Sequence, residues 1–306
     1  MEIIQNIAEA IDILRISKGL TVNELCLNIC DESSYRRYKS GNRDIPIARI
    51  KLFCDRLGIG LDDFLYNVTA KNSHEYKKIY KLFYELQNKN YDQIRKTLQT
   101  IHIEDIALDK NKILYQYIVY TYEYETKIIT TSEYFSFMNE LLPLKNGFYT
   151  FNDIVILEKI AWIEMEQKGS KALEKLQAIL LDPKKLYSIN NHHAVIATIY
   201  ANTVNLLTKK GDFKTALNIC ERGIAYSKKY NVTKNIHHLY YLKAYLFFQN
   251  DDKDAAMINI SIVISLVFAM QDKKEFKYFI DLIANEFSMT KSMIYQMHQI
   301  ALEKYL

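Results

Sequence analysis

The sequence predicts an all-α protein, with five short helices in residues 1–66 and an α-solenoid of about five helical hairpins in residues 67–306. Three observations predict it. Glycine and proline are scarce, with 8 Gly and 3 Pro in 306 residues, too few for the tight turns of a sandwich, barrel or doubly wound sheet of this length. They are also unevenly placed: Gly19, Gly41, Pro46, Gly58 and Gly60 crowd the first 66 residues, whereas residues 61–146 hold a single proline and no glycine. Finally, a helix break followed by a small or apolar residue recurs at Lys89-Asn90 with Ile94, Lys168-Gly169 with Ala172, Lys210-Gly211 with Ala216, and Asn250-Asp251 with Ala255. The spacings, 44 residues from Ala172 to Ala216 and 39 from Ala216 to Ala255, lie in the range of helical-hairpin repeats.

Each early helix has its own signal. Ile7, Ile11 and Leu14 recur at i, i+4 and i+7, the amphipathic pattern, and Gly19 ends that helix. Thr21 with Glu24 forms a capping box ahead of Leu25 and Ile29, which predicts a second helix over about 22–29. Asp31 is a good N-cap for a third helix, Glu32 to Ser40, stopped by Gly41. Pro46 opens a fourth helix carrying Ile47, Ile50, Phe53, Cys54 and Leu57, closed by Gly58, and Leu61 to Leu65 forms a fifth. Short helices in which the second and third are joined by a turn of three or four residues follow the helix-turn-helix plan.

That plan makes an electrostatic demand, because the helix that faces phosphates and bases must be cationic. Residues 1–66 carry nine Lys/Arg against ten Asp/Glu, yet residues 33–51 carry six (Arg36, Arg37, Lys39, Arg43, Arg49, Lys51) against Asp44 alone. A whole-chain net charge of +4 conceals this focus. Ser33, Arg36 and Arg37 fall on one face of the third helix, where an arginine can read guanine bidentately and Ser33 or Ser34 can reach base or phosphate. Thr21, Lys39 and Arg43 complete the expected DNA-binding set.

Other classes find no support. The four cysteines, Cys26, Cys30, Cys54 and Cys220, are too few for a disulfide framework, and Glu2, Glu9 and Asp12 stand where a signal peptide would be basic and then apolar. A cytosolic location is expected. The longest apolar stretch, Ile258 to Met270, contains Asn259 and Ser261 and is too short to span a membrane. Cys26 and Cys30 lack the further ligands of a metal site, and His192-His193 and His237-His238 read as cap or surface positions. With no phosphate loop, nucleophile elbow or zincin motif, neither catalysis nor a cofactor is expected. Tyr115, Tyr117, Tyr120, Tyr122 and Tyr124 point to all sides of one helix, so some of their rings must be buried or lie in an interface such as a dimer contact.

The run Leu20-Thr21-Val22-Asn23-Glu24-Leu25 through Asn28-Ile29-Cys30, then Arg37, Ser40-Gly41, Pro46, Leu57-Gly58-Ile59 and Leu61-Asp62-Asp63-Phe64, resembles the Xre/Cro-type helix-turn-helix. More narrowly, it is similar to that of the Rgg/PlcR-type peptide-responsive regulators of the RRNPP family. Lys39 stands where that family usually has an acidic residue, and Tyr35 where it has a β-branched or small apolar one. Farther on, Tyr200-Ala201-Asn202-Thr203-Val204-Asn205-Leu206-Leu207 with Gly211-Asp212-Phe213 and Ala216, and Leu239-Tyr240-Tyr241-Leu242-Lys243, resemble the tetratricopeptide-like repeats with which such regulators hold a short signalling peptide.

The residues themselves allow the same site. An extended peptide on a solenoid's concave face presents backbone donors and acceptors, and asparagine answers both. Asn202 and Asn205, three apart on one helix, can project to the same side. On the next such helix, Tyr241 and Tyr245 could cover peptide side chains and Lys243 could meet a terminal carboxylate. The resulting expectation is a quorum-sensing-type transcription regulator, acting as a homodimer on a double-stranded DNA operator and switched by a short peptide. A peptide-independent repressor and a repeat-based protein-interaction scaffold are the alternatives.

Overall fold

The computed structural model describes residues 2–69, 74–106, 109–142, 149–182 and 192–305. Among these residues the regular structure is helical, with no β-strand. The chain divides into two compact units: one comprises the described residues of Met1–Gln167 and Asp182–Ile189, the other those of Lys168–Leu181 and Asn190–Leu306.

The first unit opens with α1 (Glu2–Ser17), α2 (Val22–Cys26), α3 (Glu32–Lys39), α4 (Ile47–Leu57) and α5 (Leu61–Thr69). They enclose one core that includes Ile11, Leu25, Tyr35, Tyr38, Phe53, Leu57 and Phe64. The local signals act as the residue types dictate. Thr21 accepts from the Glu24 N–H while the Glu24 carboxylate accepts from the Thr21 N–H at 2.7 Å, a reciprocal cap on α2. The Asp31 side chain accepts from the Ser34 N–H and caps α3. Gly58 takes a left-handed φ of +65°, and the next N–H, of Ile59, bonds back to the Cys54 carbonyl at 2.8 Å, closing α4. One boundary differs from expectation. Helix α2 ends at Cys26, not near Ile29, because Asn28 turns to a φ of +60° and the chain leaves the helix there. Asparagine tolerates this conformation better than most residues.

The unit continues with α6 (His74–Gln87), α7 (Tyr91–Leu98), α8 (Asp109–Glu125), α9 (Thr131–Leu141) and α10 (Phe151–Glu166). Phe83 on α6 packs against Tyr117 of α8 and edge-on to Phe151 of α10 at 5.3 Å. The tyrosines of α8 find partners inside this unit. Tyr117 is buried, Tyr120 stacks on Phe137, Tyr124 stacks on Tyr134 at 4.4 Å, and Tyr122 lies near Tyr91. Glu158 on α10 is buried and pairs with Lys159 at 3.3 Å. That neighbouring carboxylate, more than any other influence, holds the Lys159 ammonium in its charged form.

In the second unit, α11 (Lys171–Leu180) precedes the hairpins of α12 (His193–Lys210) with α13 (Phe213–Lys229) and α14 (Ile236–Gln249) with α15 (Lys253–Ala269), followed by α16 (Lys273–Glu286) and α17 (Lys291–Tyr305). The helix breaks explain how so long a helical chain needs so little glycine. Gly211 takes the left-handed residue's place after α12, but Lys89, Lys127, Lys168, Asp251 and Gln271 take it at other breaks. After α12 and α14 the following Asp then caps the next helix: Asp212 accepts from the Thr215 N–H and Asp252 from the Ala255 N–H. The residue four beyond each cap, Ala216 or Ala256, is fully buried. The packed alanine after the last of these breaks is therefore Ala256, one position past the Ala255 expected from sequence.

At Gly223, inside α13, three helices approach closely. A Cβ there would lie 2.8 Å from Tyr200 Cβ and 3.2 Å from Leu239 Cδ2, so α12, α13 and α14 meet at this point only because it has no side chain.

Candidate functional site

Helix α3 is short and strongly sided. Tyr35 and Tyr38 enter the core, whereas Ser33, Arg36 and Arg37 are exposed, as is Arg43 just beyond the helix. Ser34 is turned inward, and its hydroxyl donates to Asp31 at 2.8 Å. Hydrogen bonds from the Ser33 hydroxyl and then from the Ser34 N–H and hydroxyl hold the Asp31 carboxyl far below its ordinary range, so it stays anionic at the helix N-terminus. Arg36 makes a loose pair with Glu32 at 3.6 Å, and its side chain remains 78% exposed. Arg43 lies 6.0 Å from the Tyr38 ring centre, and the Tyr38 hydroxyl in turn receives Arg49 Nη1 from α4. Thr21 is exposed at the α2 cap, its hydroxyl bound to Glu24. Lys39 is differently placed: its ammonium lies 2.6 Å from Asp12 of α1. Ser33, Arg36, Arg37, Arg43 and Thr21 are thus exposed, Ser33 and Thr21 with their hydroxyls bonded to Asp31 and Glu24, while Ser34 is turned inward and Lys39 pairs with Asp12.

In the second unit, Asn202 and Asn205 are half-buried on α12, and Tyr241 and Tyr245 lie on α14. A residue absent from the expected set joins two of them. His238 Nε2 is 3.5 Å from Asn205 Nδ2, and its ring centre is 6.0 Å from that of Tyr241. Burial, then the neighbouring His237, pushes the His238 pKa below its ordinary value, so the ring is neutral at pH 7 and can both donate and accept. The separation of 33 positions between Asn205 and His238 hides this contact from any reading of local spacing. Tyr241 is 8% exposed and packs edge-on against Phe279 and Phe287. Tyr245, one turn on from Tyr241, is half-buried. Lys243 sits about 200° round the helix from Tyr241 and pairs with Glu221 of α13 at 2.9 Å. The fold therefore brings Asn205, His238 and Tyr241 together and directs Lys243 toward α13.

His237 is buried, with Nε2 3.2 Å from Glu275. Cys26 is also buried, which pushes its thiol up to about 12 and leaves it a protonated core residue, with Cys30 partly exposed beside it. Among the described residues no group of three or more His, Cys, Asp or Glu is placed to hold a metal ion, and no helix is long and apolar enough to cross a membrane.

No protein-family model matches the chain, and no curated protein matches it. Solved structures do. Those with a similar fold include proteins crystallised with DNA and a peptide. Bacillus thuringiensis PlcR, in complex with the peptide PapR7 and DNA, aligns over 93% of this chain and 97% of its own at 18% identity, with a TM-score of 0.50. ComR from S. thermophilus, in complex with DNA and its signalling peptide ComS, aligns over 92% and 99% at 14% identity, TM-score 0.52. The apo form of the competence regulator ComR from Streptococcus vestibularis aligns over 93% and 99% at 18% identity, TM-score 0.53. The similarity to the Rgg/PlcR type thus rests on fold across nearly the whole chain as well as on motif.

Proposed function

We propose that this protein is a cytosolic DNA-binding transcription regulator, not an enzyme, and that its activity is switched by a short signalling peptide. Residues 1–66 serve as the helix-turn-helix head with α3 as recognition helix, and residues 67–306 as the tetratricopeptide-like part that binds peptide and holds a homodimer together. The observation that carries the reading is the concentration of cations on and just after a short exposed helix: six Lys/Arg against one Asp in residues 33–51, in a head that is otherwise acidic. Such focusing suits a helix that enters the major groove, with Arg36 and Arg37 at base edges and Ser33, Arg43 and Thr21 on backbone or base. Each base-reading arginine contributes on the order of 1–3 kcal/mol. Support for the peptide comes from the α12–α14 surface, where half-buried Asn202 and Asn205 offer amide partners to an extended backbone, with Tyr245 and Lys243 at its margin and Tyr241 buried against Phe279 and Phe287. PlcR and the S. thermophilus ComR, both of similar fold, were crystallised with DNA and with a peptide.

In a homodimer, two recognition helices address half-sites about 34 Å apart. A peptide that binds one arrangement of the repeats better than another changes that spacing and with it operator affinity. The test has two arms. Duplexes selected from a random pool should bind with a log-log salt slope that reflects several released counterions. Calorimetry against peptides from culture supernatant should give heat that Asn202→Ala abolishes. A duplex that binds without salt dependence refutes the head's role. Duplex binding with no heat from any peptide leaves the peptide-independent repressor, and neither activity leaves the interaction scaffold.

A further inference from the structure

Resting on the reading of α3 as the recognition helix, we infer that Asp12 is a positioning residue that fixes the rotation of α3, and that Lys39 acts through Asp12, with no contact to DNA of its own. Asp12 is only 7% exposed, although Ile13 and Ile16 of the same helix face outward. Its two oxygens are fully engaged. Oδ1 accepts from Arg15 Nε at 2.8 Å and from the Tyr35 hydroxyl at 3.1 Å, and Oδ2 accepts from Lys39 Nζ at 2.6 Å. Arg15 Nη1 also donates to the Leu20 carbonyl at 2.6 Å, so one carboxylate links α1, the turn before α2, and two residues one turn apart on α3.

The need for such a link follows from how little else holds α3. The helix has eight residues, and of these only Ser34, Tyr35 and Tyr38 are buried. Apolar packing of two rings is non-directional and leaves the helix free to roll, whereas a hydrogen bond tolerates only a few tenths of an ångström. A roll of about 20° would carry a side chain at the helix surface sideways by on the order of 2 Å, enough to break a bidentate contact. The hydroxyls of both buried rings are tied to other helices, Tyr35 to Asp12 of α1 and Tyr38 to Arg49 of α4. Lys39 adds a second point on the same face of α3 as Tyr35 and is only half-exposed, with its charge already paired. Burial alone would raise the Asp12 carboxyl, but Arg15, Lys39 and Tyr35 outweigh it and keep it ionised. A lysine and a tyrosine one turn apart on α3 thus share a single acid on α1.

The experiment measures binding of Asp12→Asn, Lys39→Gln, their double variant and Tyr35→Phe to a selected duplex and to a random one over a series of salt concentrations. Circular dichroism fixes a temperature at which every variant is folded, and Tyr35→Phe keeps the core ring. The clamp predicts that Asp12→Asn and Lys39→Gln each lower the ratio of specific to random binding by about tenfold. The double variant should be no worse than Asp12→Asn, Tyr35→Phe should move the same way, and the salt slope should not change. A Lys39→Gln protein that loses affinity for both duplexes alike, with a slope smaller by about 0.9, would show a direct phosphate contact and overturn the inference. Additive effects in the double variant, or no effect of Asp12→Asn, would overturn it too. Arg37→Ala run beside them separates the two levels. If it binds as wild type, the recognition-helix reading falls; if it weakens binding while Asp12→Asn does not, only the clamp falls.

Discussion

Replacing Gly223 by alanine tests the packing that holds the α12–α14 surface in place. The added Cβ would meet Tyr200 Cβ at 2.8 Å, Tyr200 Cγ at 3.1 Å and Leu239 Cδ2 at 3.2 Å, against an ordinary van der Waals separation of roughly 3.5–4.0 Å. Tyr200 cannot swing away. The nearest atom is the first of its side chain, and its hydroxyl is bound to the Leu180 carbonyl at 3.1 Å in a site where the residue is fully buried. The helices must therefore part. With an approach of 2.8 Å to a Cβ that cannot move, the upper part of the usual overpacking cost applies, about 2–3 kcal/mol, and the better helix propensity of alanine returns about 1 kcal/mol, leaving a loss of about 1–2 kcal/mol. Hydrogen exchange of α12 and α13 amides reads this locally, as protection lowered about 5- to 30-fold, and urea unfolding followed by circular dichroism should shift to a lower midpoint. Unchanged or slower exchange would refute the reasoning, because alanine's helix propensity would then outweigh a contact that is not tight.

Three further outcomes follow from the same physical chemistry. Asp212→Ala removes the bond to the Thr215 N–H at the start of α13 and should cost about 1 kcal/mol in urea unfolding, with Asp212→Asn close to wild type. Asp12 is held below its ordinary carboxylate pKa, so its contribution to stability is present above its unfolded pKa and is lost as pH falls through the lower folded one. The stability gap between wild type and Asp12→Asn should accordingly be full at pH 7 and close below about pH 4. Burial pushes the thiols of Cys26, Cys54 and Cys220 up to about 12, so a thiol reagent at pH 8 should label none of the three before denaturant unfolds the chain.

Much of the architecture is legible in the sequence because it is set by groups adjacent along the chain. Thr21 with Glu24, Asp31 with Ser34, and Gly58 each close a helix end within three or four residues, and the breaks at Lys89-Asn90, Lys168-Gly169, Lys210-Gly211 and Asn250-Asp251 fall where the sequence places them. What is missed depends on separation or on an unusual residue. Asn28 ends α2 early by taking a conformation more typical of glycine, and Gln271 takes it after α15, where no glycine or proline marks the break. Lys39 counts as one more outward cation until its partner, 27 residues earlier, is seen beside it. His238 resembles a surface cap until the helix carrying Asn205 is laid against it. The shift in glycine use near residue 66 falls where one core ends, since the cluster holding Ile11, Leu25, Tyr35, Phe53 and Phe64 is built from α1–α5 and their turns alone, while Lys110 of α8 pairs with Asp63 of α5 and the compact unit runs on to α10.

The measurement that bears most directly on the central claim is the affinity of the full chain for a duplex selected from a random pool, compared between wild type and Arg37→Ala. The account predicts a salt-dependent wild-type complex with at least about 10³-fold preference over random duplex, and an Arg37→Ala protein weakened by about 5- to 150-fold on the selected duplex with little change on the random one. Equal binding of the two proteins to the selected duplex, or no preference for it in the wild type, would contradict the account.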